Sequence, residues 1–155
     1  GLTIPPHEHG VRLFLAPLQR SLRDIDLDEQ VVLPAMRNLA GGDRAEGVDP
    51  HAPLLSSFSA EALAGARAAA PDLPRGWLTS RIPQDWAARL DALACVALHT
   101  NHRHLTRAVA RAVKDAGYWL FCYTVDDPAR ARELSDWGVD AFCTERIDLI
   151  GADFA

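Results

Sequence analysis

Residues 95–144 read CVALHTNHRHLTRAVARAVKDAGYWLFCYTVDDPARARELSDWGVDAFCT, and their punctuation decides the fold. Three β-prone apolar runs, Cys95 to His99, Trp119 to Val125 and Val139 to Thr144, are separated by two segments of helical character. In the first segment Leu105, Val109, Ala112, Val113 and Ala116 recur as one apolar stripe, and Gly117 supplies the left-handed residue that ends a helix. In the second, Asp127 followed by Pro128 is a cap before a first-turn proline, Ala131 and Leu134 face inward, and Gly138 closes the helix. A strand follows each closing glycine at once, which is the grammar of βα units.

Upstream the same rhythm continues. Pro53 to Phe58 and Gly76 to Thr79 are two further β-prone runs, so the first residues of the five runs fall 23, 19, 24 and 20 positions apart. Ser59 is placed to cap a helix over Ala60 to Ala70 with Glu61 in its first turn, and Pro71 stops it. Pro83 fits the first turn of the next helix, whose Trp86, Leu90 and Leu93 would face the sheet. Continuous apolar runs, each followed by a helix, imply parallel strands, because a parallel crossover needs a dozen or more residues. The expected fold is α/β, with about five parallel βα units over residues 53–155.

Residues 1–52 lack this rhythm. They hold an amphipathic stretch at Val11 to Leu22, acids at Asp24, Asp26, Asp28 and Glu29, an apolar stretch at Val31 to Leu39 and a Gly/Asp-rich link at Gly41 to Pro50. One or two helices joined to the α/β part by a linker are expected there. At 48% hydrophobic and 24% charged, the 155-residue chain has the composition of a globular domain, which excludes disorder and collagen. A net charge of −5 without any basic run gives no footprint for nucleic acid. No apolar stretch approaches the ~20 residues of a membrane span, and no signal-peptide layout opens the sequence. Cys95, Cys122 and Cys143 each sit within apolar runs rather than in a CxxC pair, so they read as buried thiols of a cytoplasmic protein.

Five βα units fit either a doubly wound domain or five eighths of a (β/α)8 barrel. The strings PLLSSFSAEALAGARAAAPDLPRG (53–76), VALHTNHRHLT (96–106) and CYTVDDPARARELSDWGVDAFCTERIDLIG (122–151) resemble the C-terminal half of the bacterial glycerophosphodiester phosphodiesterases. The resemblance runs in register over roughly the last hundred residues. It implies a partial TIM barrel from a family that hydrolyses glycerophosphodiesters to glycerol 3-phosphate and an alcohol with a divalent metal, Mg2+ or Ca2+. The family's His-Arg-Gly, His-Asp, Glu-x-Asp and Glu-x-Lys motifs, which supply acid/base histidines and metal and phosphate contacts, do not occur in this sequence. No catalytic or metal-ligating residue is therefore carried over.

The resemblance places five residues as substrate-binding candidates at the barrel mouth: Phe58, His99, Asn101, Tyr123 and Asp126. His99 and Asn101 end a strand, where barrels build their sites; the competing roles are a hydrogen-bonded core histidine and a helix cap. Tyr123 stands where the family commonly has an aromatic residue lining the glycerol pocket. Asp126 stands where it usually has asparagine, and an ionised aspartate accepts hydrogen bonds without donating any, so a turn role competes here. Phe58 is expected to pack at the mouth. Elsewhere, His7-Glu8-His9-Gly10 follows Pro5-Pro6 rather than an apolar strand and reads as a solvated turn. The acids from Asp24 to Glu29 lack the glycine and terminal glutamate of a calcium loop. His102 and His104 lack a thiolate or carboxylate beside them for zinc. Trp77, Trp86, Trp119 and Trp137 share no spacing and read as packing residues.

Three readings of function follow. The first is a truncated or frameshifted phosphodiesterase, inactive alone, whose partner would be a glycerophosphodiester if the barrel were complete. The second is a stand-alone five-unit binding or regulatory module, for which a doubly wound sheet with paired acids would be needed. The third is a half-barrel completed through its exposed sheet edges by self-association or by another chain.

Overall fold

The computed structural model describes residues 31–33 and 52–150. The amphipathic stretch, the His7 to Gly10 motif, the acids from Asp24 to Glu29 and the Gly41 to Pro50 link lie outside them. The elements in chain order are β1 (Val31–Leu33), β2 (Leu54–Ser57), α1 (Ala60–Ala69), β3 (Arg75–Thr79), α2 (Trp86–Leu93), β4 (Ala97–Asn101), a 3-10 turn (His102–His104), α3 (Arg107–Asp115), β5 (Trp119–Tyr123), α4 (Pro128–Asp136) and β6 (Ala141–Phe142).

The sheet order is β1-β2-β3-β4-β5-β6, with β2 to β6 parallel throughout. Neighbours in sequence are neighbours in space, so the sheet has no switch point and the doubly wound alternative falls. β1 runs antiparallel to β2, pairing Val31 with Ser56 and Leu33 with Leu54. This corrects the expectation of helix alone before residue 53, because a three-residue strand leaves no periodicity to read.

Local chemistry sets most boundaries. Ser59 Oγ accepts from the Ala62 amide at 3.1 Å and Asp127 Oδ1 from the Ala129 amide at 3.0 Å, opening α1 and α4 as their caps imply. Gly117 and Gly138 take φ of 83° and 87°, the left-handed region where a side chain is penalised. Two expectations shift. α2 begins at Trp86 rather than in a turn started by Pro83; Asp85 occupies the cap position, and its carboxylate pairs instead with Arg89 at 2.9 Å. α3 begins at Arg107, capped by Thr106, so Leu105 lies before the helix, and Ala110 is buried where Ala112 is exposed.

All four helices contribute to one core with the strands' outer face: Leu63, Leu90, Val113 and Leu134 pack with Trp77, Leu98, Leu120 and Cys122. The opposite face carries a second cluster of Leu54, Ala97, Trp119 and Phe121. Trp86 and Trp137 are half-buried against the first core. Cys95 and Cys122 are free and buried, and Cys143 is half-buried. Burial pushes the Cys95 and Cys122 thiols up to about 12 and Cys143 to about 11, leaving none poised as a nucleophile.

At the N-terminal edge of the sheet, buried Arg75 donates to the Leu73 carbonyl at 2.7 Å and the Ala94 carbonyl at 3.2 Å, tying the ends of α1 and α2 together. Lys114 and Asp140 pair at 2.5 Å, and Asp140 also accepts from the Leu120 amide at 2.7 Å, fixing the entrance to β5 and β6. Among the described residues no helix is long and apolar enough to cross a membrane.

Candidate functional site at the C-terminal edge

Because β2 to β6 are parallel, their last residues Ser57, Thr79, Asn101, Tyr123 and Phe142 share one edge. Phe58 leaves β2 there, 46% exposed, and meets Tyr123 edge-on with ring centroids 6.2 Å apart. Tyr123 ends β5, and its hydroxyl donates to the Thr79 carbonyl at 3.2 Å, so the ring leans across the end of β4 towards β3. Asn101 is paired in register with Tyr123. Its Oδ1 accepts from the Arg103 amide at 3.0 Å, which holds the 3-10 turn. Asn101 thus caps the 3-10 turn, whereas the helix it was weighed to cap, α3, is capped by Thr106.

His99 lies two residues earlier on β4, one layer below the rim, and is 2% exposed. Its Nδ1 sits 2.8 Å from Ser56 Oγ, and Ser56 Oγ donates to the Gly76 carbonyl at 3.3 Å. The direction of the 2.8 Å bond between Ser56 Oγ and Nδ1 follows the tautomer of the ring. Ser56 and His99 lie on β2 and β4, two strands apart, a distance of about 10 Å between backbones. They meet because Gly76 stands between them on β3: a Cβ there would come within 2.7 Å of Nε2. Among the described residues Nε2 has no hydrogen-bond partner. The imidazole also stacks on Phe121 at 4.9 Å. Burial pushes its pKa down to about 3, so the ring is neutral at physiological pH.

Asp126 lies in the loop after β5, exposed to solvent. Its Oδ1 accepts from the Glu145 amide at 2.7 Å and from Thr144 Oγ1 at 3.1 Å, fastening the segment after β6 to that loop. The five candidates thus fall into three positions: Phe58, Asn101 and Tyr123 together at the rim, His99 beneath them, and Asp126 beside them in a fastening role. Sequence reasoning missed Ser56 as the partner of His99, and Arg130. Arg130 donates from Nη2 to the His102 carbonyl at 2.5 Å and lies 4.6 Å from the Trp137 ring centre. Neither carries a local signal, since the contacts span 43 and 28 residues.

Among the described residues no three of His, Cys, Asp and Glu come together closely enough to hold a metal ion. The described donor set therefore does not fit a divalent cation, and Asp126 is engaged by its own chain.

Residues 23–149 match the model of the glycerophosphoryl diester phosphodiesterase family. The match begins within the N-terminal segment that lacks the βα rhythm. A search of curated proteins found no match. Among solved structures the chain is similar to a phosphodiesterase from Oleispira antarctica in complex with its product sn-glycerol-3-phosphate. The identity is 35% and the TM-score 0.58, covering 59% of this chain and 37% of that one. It also shares the fold of a glycerophosphodiester phosphodiesterase from Thermotoga maritima, with 20% identity and a TM-score of 0.52, over 62% of this chain and 44% of that one. The chain therefore spans less than half the length of either structure. With the family model covering most of its residues and its strands in barrel order, the chain belongs to the glycerophosphoryl diester phosphodiesterase family.

Proposed function

We propose that this chain forms the substrate-holding wall of a glycerophosphodiester-hydrolysing barrel, and that residues Phe58, Asn101 and Tyr123 meet the glycerol end of the substrate. The observation that carries this reading is the convergence of those three side chains, from β2, β4 and β5, at the edge where (β/α)8 barrels place their ligands. The Oleispira antarctica protein, similar over 59% of this chain, holds sn-glycerol-3-phosphate, and that ligand's chemistry suits the rim. Aromatic faces cover glycerol carbons, and the Asn101 amide can donate to a hydroxyl or phosphoryl oxygen. His99, held by Ser56, supports the rim from below as a neutral ring.

Hydrolysis of a phosphodiester adds water across the P–O bond and needs the phosphoryl charge neutralised and the leaving alkoxide protonated. The family's motifs for those tasks do not occur in this sequence, and the described residues offer no metal-binding cluster. We assign the chain's own residues to binding and orientation. Binding that favours ground and transition states equally does not accelerate the chemical step, so the 155-residue chain is proposed to be a binding half rather than a hydrolase. Its free thiols, buried or half-buried, suit a reducing compartment, and we place it in the cytoplasm on that ground.

The test is an amide-resolved NMR titration of the chain with sn-glycerol 3-phosphate. Saturable shifts at Phe58, Asn101 and Tyr123, abolished by Tyr123→Ala and weaker with inorganic phosphate, are expected. Shifts confined to the opposite edge around Arg75 and Asp140, or no shifts at all, would refute the reading.

A further inference from the structure

The first residue after Asn101 is His102, which the site described above does not use. The Nε of Arg130 on α4 donates to His102 Nδ1 at 3.4 Å, Nη2 donates to the His102 and Leu105 carbonyls at 2.5 and 3.4 Å, and Nη1 pairs with Glu133. One guanidinium therefore grips both the ring and the backbone of the turn that Asn101 caps. Stacking over Trp137 fixes the plane of that guanidinium from the other side. α4 follows directly on the loop that bears Asp126, so the grip joins the exits of β4 and β5.

We propose that His102 and Arg130 form a latch that positions the rim, holding Asn101 and the Tyr123 to Asp126 loop in place, and that protonation of His102 releases it. Arginine has donors only, so the ring nitrogen facing its Nε must be an acceptor. A neutral His102 with its proton on Nε2 satisfies this. A protonated ring sets N–H against N–H and cation against cation.

The charges around the ring favour the latched state. Partial burial opposes protonation most, followed by Arg130 from α4 and Arg103 from the same turn. Asp126 and hydrogen bonding to the Thr124 backbone favour it and are outweighed, so His102 titrates below the ordinary histidine range. Glu133 is turned to Arg130 and neutralises part of its charge without reaching the ring. His102 and Arg130 are positioning residues here, and the latch operates whatever ligand the rim takes.

The experiment is a pH titration of the isotopically labelled full chain from pH 8 to 5, following the histidine ring nitrogens and the amides of Asn101, Tyr123 and Asp126. His102 is expected as the Nε2–H tautomer at high pH, with a midpoint below about 6.5, and the three amides should shift with that same midpoint. Arg130→Met should raise the midpoint of the ring and remove the amide transitions, since no guanidinium is left for the ring to release. His102→Gln keeps an acceptor for Arg130 and should abolish the amide transitions while leaving the high-pH rim shifts and the fold unchanged. Amides indifferent to the ring's titration would overturn the latch, and so would amide transitions that persist in His102→Gln. His99, at about 3, lies outside this window and cannot imitate the signal.

Discussion

Ser56 and His99 touch at 2.8 Å across an intervening strand, through the space that Gly76 leaves open. The contact ties β2 to β4 on the face that bears Phe121, beneath the rim formed by Phe58, Asn101 and Tyr123. Replacing Ser56 with alanine leaves a buried imidazole nitrogen without its partner, which costs about 1–3 kcal/mol. Chemical denaturation should show a lower midpoint for Ser56→Ala with an unchanged slope.

Gly76→Ala tests the same contact sterically. A Cβ 2.7 Å from His99 Nε2 forces the ring or a strand to move, since the nearest obstacle is a ring fully packed on Phe121. The expected loss is about 1–3 kcal/mol, as for overpacking in a filled core. If the variant is as stable as the parent, the ring is not lodged against Gly76.

The pH dependence of stability follows from His99. Its folded pKa, pushed down by burial to about 3, lies below the unfolded value of about 6.5, so the unfolded state binds the proton first. Stability from this group is complete above about pH 6.5 and is lost as pH falls towards 3. His99→Gln should flatten that acid limb while lowering stability at pH 7, measured by denaturation at a series of pH values.

Much of this architecture was legible because it is written locally. Asp127-Pro128, Ser59 and the closing glycines act within one helical turn, and the βα pitch survives any error of a residue or two at the boundaries. The misreadings have the same origin. Pro83 lies before α2, which begins at Trp86 after Asp85; the Asp85–Arg89 pair, four residues apart on one helix face, was a local signal that the proline outweighed in the reading. Ala110 and Ala112 are chemically identical, and only the orientation of α3 decides which is buried. The strand at Val31–Leu33 depends on pairing with β2. At the site, Phe58, Asn101 and Tyr123 were singled out by the family resemblance, and the common direction of the strands puts them at one edge. The Ser56 partner of His99 and the Arg130 grip on His102 were not legible, because nothing near them in sequence announces a contact so distant in the chain.

Release of glycerol 3-phosphate from glycerophosphocholine decides whether the chain is, as we propose, a binding wall without hydrolytic power. With Mg2+ or Ca2+ added, the purified 155-residue chain should release no more than buffer alone, and a chelator should change nothing. Metal-dependent turnover that the chelator abolishes, and that His7→Ala or His9→Ala removes, would show the chain to be a hydrolase in its own right.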